Sequence, residues 1–576
     1  MIGSSNAAIK TGGGGGETPS GLSTTGIDFI DYDGTLLAHY DSVPTTLPTA
    51  PTVEGLDFRE WNWTLAELQE YFTAVPDGYV CVGATRAPSD GKTHIKIKLS
   101  DGRLSPKLWF SSSQSNVEAS GTIDWGDGTI DEWARSTTRA VAQEHTYQQA
   151  GEYEIVLSVE AGEISVSSTS LLFYETSSSS QLASYNAAIK EIYFGDNFLI
   201  KAAGTTMRVL QSAGLLEKVT WTPDNLKPYY NGMGRIVSDS PLIKALVMPR
   251  GFRAGVFTGA GSACVQLSAL SLPKSTAMSM GTGAFGGLYG LASIYIPERM
   301  ITIGDSAFGN CSSLTSVHIP DRVTTISSNA FYNCYNLTDI NIPDSVVRIG
   351  GGAFQSCYSL TSIHIPDRVT SIEGSTFYKC HNLTNVNIPD GVTTIGNSAF
   401  NGCRSLTSIH IPDGVTSIGS STFYSCYSLT SVNIPDGVTS IGNSAFSDCF
   451  SLTNIHIPNG VTSIDSNAFN NCYSLTSINI PDGITSIEGS TFSGCRSLTS
   501  VSIPAGVTII ESTAFYQCYF LKEIHLHSTT PPTLSSVTAF GGTSSDMVIY
   551  VPQGTLETYQ QATNWTRYAS QMQEEA

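Results

Sequence analysis

Hydrophobic residues recur every 23 positions across the second half of the chain. The stretch Leu314–Cys334 reads LTSVHIPDRVTTISSNAFYNC, and its first apolar residues follow the spacing L-x-x-V-x-I, with polar residues between them. This alternation predicts a short β-strand, which Pro320 ends because proline has no N–H group to donate to a neighbouring strand. Val323 and Ile326 predict a second short strand. The A-F-x-x-C segment from Ala330 predicts a compact helical turn whose apolar side chains point inward.

The cysteines keep the same period. Ten of the twelve are spaced 23 residues apart, at Cys311, Cys334, Cys357, Cys380, Cys403, Cys426, Cys449, Cys472, Cys495 and Cys518. A fixed period of about 20–29 residues is typical of a solenoid, in which each turn buries its apolar residues against the next. The apolar pattern extends in diverged form back to Ile189 and forward to Leu521, which predicts about fifteen turns. Equivalent cysteines project in the same direction from such a stack, so we expect ten buried, reduced thiols.

The charge and the apolar runs of the chain argue against two classes of partner, nucleic acids and membranes. The chain has 29 basic and 49 acidic residues, which gives a net charge of −20. Nucleic-acid binding requires a basic face, so a nucleic-acid partner is not expected. No apolar run reaches the roughly 18 residues that span a bilayer, so membrane insertion is not expected either.

The repeated motif resembles a known family. Ser405–Leu429, which reads SLTSIHIPDGVTSIGSSTFYSCYSL, and its copies are similar to the leucine-rich repeats of bacterial surface antigens, the BspA-like class. The resemblance implies a mainly β repeat protein, with a right-handed leucine-rich repeat solenoid over residues 187–527 and a C-terminal cap over residues 528–576. The cap is expected to contain an amphipathic helix at Leu556–Met572. Family members are mostly surface proteins that bind host proteins, matrix proteins or neighbouring cells.

Two further modules are predicted before the repeats, after a flexible Gly/Ser/Thr tail at residues 1–26. Residues 27–86 contain FIDYDGTLL and resemble the β-grasp repeat of internalins and related surface proteins. Residues 87–175 contain IDWGDGT, HTY and AGEYEIVLSV, and are similar to a polycystic-kidney-disease (PKD) domain. That resemblance implies an immunoglobulin-like β-sandwich with Trp125 in its core, acting as a spacer. Residues 176–186 are expected to link it to the repeats.

The sequence FIDYDGTLL raises one enzymatic alternative. D-x-D-G-T-L is the nucleophile motif of the haloacid dehalogenase phosphatases, in which Asp31 would attack phosphorus and Asp33 would protonate the leaving group. Asp127 and Asp131 imitate the magnesium-binding motif of the same family. However, Asp28 interrupts the buried strand that should precede the motif, and the module is too short for alternating strands and helices. A hairpin turn is therefore preferred over a magnesium-dependent phosphatase, and no enzyme activity, cofactor or metal ion is expected.

Two columns of equivalent positions supply the candidate binding residues. In the first, on the predicted strands, histidine and asparagine alternate from turn to turn and include His318, His364, Asn387, His410, Asn433 and His456. Successive histidines would lie two strands apart, about 9–10 Å, which is too far to share a zinc ion easily. They form either a solvated ladder or a row of ligand contacts. The second column follows each cysteine and contains Tyr335, Tyr358, Arg404, Tyr427, Phe450, Tyr473 and Arg496. Tyrosine and arginine are enriched at binding hot spots, and arginine in this column argues against a core role.

These observations predict a non-catalytic surface adhesin, extracellular or at the cell surface, whose repeats bind a protein or glycan of a cell surface. The alternative is a phage-tail or other particle-associated receptor-binding component. Residues 1–17 lack the apolar segment of a signal peptide, which favours the alternative. The aspartates that follow proline, such as Asp413 and Asp436, are expected to serve the turn rather than to bind calcium. The oligomeric state is left open.

Overall fold

The computed structural model describes residues 23, 25–100, 104–112, 118–135, 141–161, 164–166, 189–196, 198–200, 210–211, 215–221, 237–238, 242–248, 250, 266–274 and 280–575. The predicted linker, Cys264 and most of the predicted N-terminal tail lie outside these residues. The chain forms two compact units, residues 1–323 and 324–576. The fold is mainly β, with about 5% helix and a β-solenoid of about fourteen turns. The predicted fold class is confirmed, with about one turn fewer than the sequence pattern indicates.

The N-terminal module is a four-stranded sheet with one helix. Its elements are β1 (Gly26–Ile30), β2 (Leu36–Tyr40), β3 (Leu56–Trp61), helix α1 (Leu65–Ala74) and β4 (Tyr79–Pro88). The strand order is β2-β1-β4-β3, with β1 parallel to β4 and the other neighbours antiparallel. Helix α1 begins with a capping box, because the Thr64 hydroxyl accepts a hydrogen bond from the Glu67 N–H and the Glu67 carboxylate accepts one from the Thr64 N–H. The resemblance to a β-grasp repeat stays a prediction.

The second module contains two sheets. Its strands are β5 (Thr93–Leu99), β6 (Lys107–Ser112), β7 (Ala119–Asp124), β8 (Ile130–Arg135), β9 (Val141–Glu144), β10 (Gly151–Ala161) and β11 (Ile164–Val166). Strands β5, β10, β7 and β8 lie side by side in one sheet, and β11, β6 and β9 in the other. Trp125 is fully buried, stacks on the His145 ring at a centroid distance of 4.9 Å, and accepts a hydrogen bond from the Tyr147 hydroxyl at its carbonyl oxygen. The resemblance to a PKD domain stays a prediction.

The first sheet of this module continues into the first repeat strands. Strand β12 (Ile189–Tyr193) pairs antiparallel with β5, with Ile192 opposite Ile95. On its other side β12 pairs parallel with a strand at Lys218–Thr220. The first strand of the solenoid therefore has hydrogen-bonded neighbours on both sides, which removes an open strand edge. The second module thus acts as the N-terminal cap that a stack of repeats requires.

The remaining strands of the first unit are short. They are β13 (Phe198–Ile200), β14 (Leu210–Gln211), β15 (Lys218–Thr220), β16 (Val237–Ser238), β17 (Ala245–Val247), β18 (Ala269–Ser271), β19 (Thr302–Ile303) and β20 (Ser316–His318). Strands β17 and β18 pair parallel, with Leu246 opposite Leu270. Equivalent positions of these two diverged turns are therefore stacked in register, as the L-x-x-L-x-L pattern predicts.

In the second unit the turns form two ladders of short parallel strands. The first ladder comprises β22 (Asp339–Asn341), β24 (Ser362–His364), β26 (Asn385–Asn387), β28 (Ser408–His410), β30 (Ser431–Asn433), β32 (Asn454–His456), β35 (Ser500–Ile503), β37 (Glu523–Leu526) and β39 (Val548–Val551). The second comprises β21 (Thr325–Ile326), β23 (Arg348–Ile349), β25 (Ser371–Ile372), β27 (Thr394–Ile395), β29 (Ser417–Ile418), β31 (Ser440–Ile441), β33 (Ser463–Ile464), β34 (Ser486–Ile487), β36 (Ile509–Ile510) and β38 (Thr533–Leu534). The pairing is in register, for example Ile409 opposite Val432, so equivalent side chains lie above one another.

The segment that leads back from the second strand to the next first strand is not a helix, which differs from the predicted helical turn. Around Phe423, Ser421 and Ser425 have left-handed backbone angles, with φ of 56° and 58°. The N–H groups of these three residues donate to carbonyl oxygens of the next turn at 2.8 Å. Those of Tyr424 and Cys426 donate within their own turn, at 3.2 Å. Successive N–H groups thus donate alternately to the next turn and to their own turn. Backbone N–H groups on this side of the solenoid are therefore hydrogen-bonded without a helix.

A column of phenylalanines fills the interior of the second unit. From Phe331 to Phe540 the ring centroids of neighbouring turns lie 5.3–5.8 Å apart, with interplanar angles of at most 17°. The cysteines lie beside this column. The Cys426 thiol, for example, donates to the Phe400 carbonyl oxygen in the preceding turn at 3.3 Å. Each repeat therefore completes the packing of its neighbour, and a single repeat would leave its ring and thiol half-covered.

The cysteines of the array are expected to be unreactive while the protein is folded. None of the described cysteines forms a disulfide bond, and all of them are buried. Burial raises the pKa of Cys311, Cys380 and Cys518 to about 12, so the nucleophilic thiolate is scarce at neutral pH. We predict that an aromatic disulfide reagent detects no fast-reacting array thiol in the native protein, and at least ten thiols after denaturation without reductant. Far fewer thiols in the denatured, unreduced protein would contradict this prediction.

The C-terminal cap differs from the predicted single helix. Helix α2 (Leu556–Gln561) is short, and a separate 3-10 helix follows at Trp565–Gln571. Asn564 lies between them with a left-handed φ of 67°, which breaks the helical path. A final strand, β40 (Met572–Glu574), pairs parallel with β39 and extends the first ladder. Trp565 is fully buried, so the apolar side of this segment covers the last turn.

Candidate binding surface

The exposed side of the first ladder in strands β24, β26, β28, β30 and β32 is called the strand face here. In each of these strands the central residue is buried and both flanking residues are exposed. The ten exposed residues are Ser362, His364, Asn385, Asn387, Ser408, His410, Ser431, Asn433, Asn454 and His456. All of them are polar, and none is Asp, Glu, Lys or Arg. The strand face is therefore a hydrogen-bonding surface with no acidic or strongly basic side chain.

A column of threonines borders the strand face. The hydroxyls of Thr384, Thr430 and Thr453 each donate a hydrogen bond to the threonine carbonyl of the preceding turn, with O–O distances of 3.1–3.3 Å. Because the hydroxyl proton is engaged, the oxygen is left to solvent as an acceptor. The border thus offers acceptors, whereas the amide and imidazole groups of the strand face offer both donors and acceptors.

The structure places five of the six predicted His/Asn residues in the strand face. His364 pairs in register with Asn387, and Asn433 lies between His410 and His456. One strand therefore separates successive histidines, as the sequence pattern predicts. Among the described residues, no group of three or more His, Cys, Asp or Glu side chains is arranged to hold a metal ion.

The N-terminal module lies on the equivalent side of the early turns in the first unit. The Asn62 amide donates hydrogen bonds to the Met248 carbonyl at 2.9 Å and to the Ser271 hydroxyl at 2.8 Å. The Trp63 indole N–H donates to the Leu272 carbonyl at 2.7 Å. These bonds are buried, and a buried polar group left without its partner costs about 1–3 kcal/mol. They therefore fix the position of the module on the early turns.

The side chains that continue the His/Asn column into these early turns are accordingly buried, namely Tyr193, Thr220, Val247, Ser271 and Tyr295. His318 is half-buried, and its ring centroid lies 6.5 Å from that of Tyr71 in helix α1. Burial also lowers the pKa of His318. His318 therefore packs against helix α1, although its motif in the sequence is the same as that of His364. The repeat motif gives no sign of this cover, because Asn62 and Trp63 are 186 and 209 residues from their partners.

The column that follows each cysteine forms a second stack, called the edge ladder here. Its members in order are Tyr335, Tyr358, His381, Arg404, Tyr427, Phe450, Tyr473, Arg496 and Tyr519. Neighbouring rings stack at centroid distances of 4.7–4.9 Å. The guanidinium carbons of Arg404 and Arg496 lie 5.4 and 4.1 Å from the centroids of Tyr427 and Tyr473. Inside the ladder the ring faces are therefore covered by neighbours. A partner that contacts the edge ladder can therefore reach ring edges, tyrosine hydroxyls and arginine side chains.

The D-x-D-G-T motif forms the turn between β1 and β2, as predicted. Asp28, however, does not interrupt the preceding strand, because it lies buried inside β1, which pairs parallel with β4. Asp31 is buried, and its two carboxylate oxygens accept hydrogen bonds from Nε and Nη2 of Arg86 at 2.6 and 2.8 Å. Asp33 accepts a hydrogen bond from a backbone N–H of the turn at 3.1 Å. In the second module Asp127 is engaged with His145 at 2.7 Å. The oxygens that a phosphatase nucleophile would use are thus held by Arg86, so the geometry does not fit the phosphatase alternative.

The repeats are similar to those of known leucine-rich repeat proteins. The family model for the BspA type leucine rich repeat region matches residues 259–381, 348–474 and 416–545. A leucine-rich repeat protein from Bacteroides ovatus is 26% identical with a TM-score of 0.51, over 61% of this chain and 90% of that chain. A leucine rich cell surface protein from Faecalibacterium prausnitzii is 33% identical with a TM-score of 0.37, over 50% of this chain and 85% of that chain. A search of curated proteins found no match.

The fold and these similarities define a leucine-rich repeat protein. Its residues 259–545 belong to the BspA-type leucine-rich repeat family. The resemblance noted in the 23-residue motif is thereby confirmed, whereas the comparisons do not support the virion-tail alternative. In the described part of the chain, no helix has the length and apolar character that crossing a bilayer requires.

Proposed function

We propose that this protein is a non-catalytic recognition protein of the cell surface, which binds a protein or glycan through its strand face. The observation that carries the proposal is the exposure of ten polar side chains on five strands, which pair in register as β24–β26 and as β28–β30–β32. Leucine-rich repeat proteins generally bind proteins or other ligands and are generally not enzymes. BspA-like relatives are cell-surface proteins, and the same location is proposed for this chain.

The chemistry of the strand face favours a ligand recognised by hydrogen bonds. The chain as a whole carries a net charge of −20, but the strand face carries no acidic side chain. A partner that approaches the strand face therefore meets uncharged donors and acceptors, with exposed carboxylates such as Asp413 and Asp436 three residues beyond His410 and Asn433. A specific protein interface buries about 800 Å² on each side. Five strands at about 4.8 Å spacing span only about 20 Å in that direction, so all five turns would share one ligand.

The other parts of the chain have proposed supporting roles. Residues 27–86 are proposed to be a β-grasp-like module, and residues 87–175 a PKD-like spacer and N-terminal cap. Residues 187–527 are proposed as the solenoid and residues 528–576 as its C-terminal cap. The edge ladder is proposed as a secondary contact surface that uses its tyrosine hydroxyls and arginines, since the ring faces inside it are covered.

A strand-face variant tests the proposed site. We predict that changing His364, Asn387, His410 and Asn433 together to serine lowers binding to the preferred ligand at least about tenfold, or about 1.4 kcal/mol, because several hydrogen-bonding groups are lost. Serine is tolerated by the fold, since Ser502 occupies the same column in a regular turn. Binding of the labelled chain to arrays of matrix glycoproteins and cell-surface glycans measures the effect.

The matched control changes the opposite side of the same turns. Tyr378 and Tyr424 lie two residues before their cysteines, in a column where Ser447 and Ser493 also occur. Their replacement by serine removes more apolar surface than the strand-face variant does, but it should leave binding unchanged. Equal losses in both variants would contradict the assignment of the site. Failure of the parent chain to bind any array component or intact cell would contradict the proposed function.

A further inference from the structure

The C-terminal end of the edge ladder exposes two adjacent aromatic side chains. Tyr519 is 46% exposed and Phe520 is 61% exposed. In the nine preceding regular turns the position of Phe520 holds serine or asparagine, for example Ser474 and Ser497. The last turn of the array therefore places a large apolar ring where the repeat otherwise has a small polar side chain. Packing of the turn does not explain this exchange, because most of the Phe520 ring is in solvent.

Among the described residues, no ring stacks on the face of Tyr519 that points away from the array. On the side of the preceding turn, the Arg496 guanidinium carbon lies 5.9 Å from its centroid. On the other side lies the segment from Gly541 to Val548. Two backbone hydrogen bonds of 2.8 Å hold this segment against the last turn: the Gln517 N–H donates to the Gly541 carbonyl, and the Val548 N–H donates to the Lys522 carbonyl. The residues between Gly541 and Val548 read GTSSDM and contain no aromatic residue. Phe450, by contrast, is stacked at 4.7 Å on both sides.

We propose that Tyr519 and Phe520 form a stacking platform for one hexopyranose unit of a neutral glycan. The C–H groups of a pyranose form an apolar, weakly electropositive face that fits the electron-rich face of an aromatic ring. The serine and threonine hydroxyls of the neighbouring segment supply polar groups around the platform for the sugar hydroxyls. This site is separate from the strand face, and neither proposal depends on the other.

The size of the platform favours a sugar over a protein. A fully buried aromatic side chain contributes about 150–250 Å², so two rings that are about half exposed offer about 200 Å². A specific protein interface needs about 800 Å² on each side. The exposed area is therefore about a quarter of what a protein partner requires, which favours a small ligand over a protein interface.

The test uses the full chain and a panel of neutral linear hexasaccharides: β-1,4-glucan, β-1,4-mannan, β-1,4-galactan and chitin fragments, titrated by calorimetry. We expect the parent to bind at least one of them, and the Tyr519→Ser/Phe520→Ser variant to bind it at least about tenfold more weakly. Serine occurs at both positions in other turns, as Ser312 and Ser497, so the variant should fold, and its far-ultraviolet circular dichroism is compared with that of the parent.

Two controls separate the possible outcomes. The Tyr378→Ser/Tyr424→Ser variant removes two partly exposed rings outside both proposed sites and should bind the hexasaccharide like the parent. The fourfold strand-face variant is titrated beside it. The proposal would be overturned if the parent bound none of the four sugars, or if the double variant bound them as tightly as the parent. A concentration-dependent dimer of the parent that the double variant loses would assign the rings to self-association and overturn it as well. Loss of sugar binding in the strand-face variant alone would place the sugar on the strand face instead.

Discussion

Replacement of Phe423 by alanine is expected to lower the free energy of unfolding by about 3–5 kcal/mol. The Phe423 ring is fully buried between Phe400 and Phe446, at centroid distances of 5.7 and 5.3 Å. Its removal leaves a cavity in the middle of the column, and the rings above and below cannot close it because their own turns hold them in register. Urea unfolding followed by circular dichroism measures the change.

The neighbouring residue provides the control for this substitution. Tyr424 is partly exposed on the outer side of the same turn, so its replacement by alanine should change the free energy of unfolding by less than about 1 kcal/mol. A similar loss in both variants would show that the turn, rather than the buried ring, determines stability. A loss below about 1 kcal/mol for Phe423→Ala would contradict the stacked column as the core.

The second large effect is expected at the buried ion pair of the N-terminal module. Changing Arg86 to methionine leaves the Asp31 carboxylate buried without its cation, which typically costs about 3–5 kcal/mol. Changing Asp31 to leucine in the same chain removes the buried charge, and we expect the double variant to recover most of the loss. Thermal unfolding of the three variants and the parent, followed by tryptophan fluorescence, completes the double-mutant cycle.

The same site provides a separate test of catalysis. Asp31→Asn keeps the shape of the side chain, and we expect it to leave phosphate release from a generic phosphate ester, with magnesium present, the same as for the parent. An activity in the parent that Asp31→Asn abolishes without unfolding the protein would contradict the interpretation of the motif as a turn. A double variant as unstable as Arg86→Met would show that the ion pair is not the cause of the loss.

Sequence periodicity predicts the solenoid because each turn makes the same contacts. One 23-residue motif specifies the buried Phe423, the buried Cys426 and the strand-ending Pro435, and stacking repeats their environment. The D-x-D-G-T turn was also predictable, since aspartate and glycine suit a tight turn. Its partner Arg86 was not, because 55 residues separate it from Asp31 and only the parallel pairing of β1 with β4 brings their strands together.

The candidate site was predictable only in part. The strand periodicity places His364 and His410 on one exposed face, and the structure agrees. The His/Asn column is covered at His318 because helix α1 packs there, and the 23-residue motif contains no residue that indicates this packing. The predicted helical turn differs because Ser421 and Ser425 take left-handed angles, and hydrogen bonds to the next turn, absent from a single repeat, stabilise that path. The helix break at Asn564 likewise depends on a single left-handed residue.

The in-register stack also has an evolutionary consequence. Because every interior turn presents the same ring, thiol and strands to its neighbours, a gene can gain or lose one 23-residue segment without creating a new kind of contact. The alternation of histidine and asparagine repeats only every second turn, so a change of 46 residues preserves the surface pattern, whereas a change of 23 residues shifts it. Unequal recombination between neighbouring repeats can therefore lengthen the array in double steps that keep its recognition surface, or in single steps that alter it.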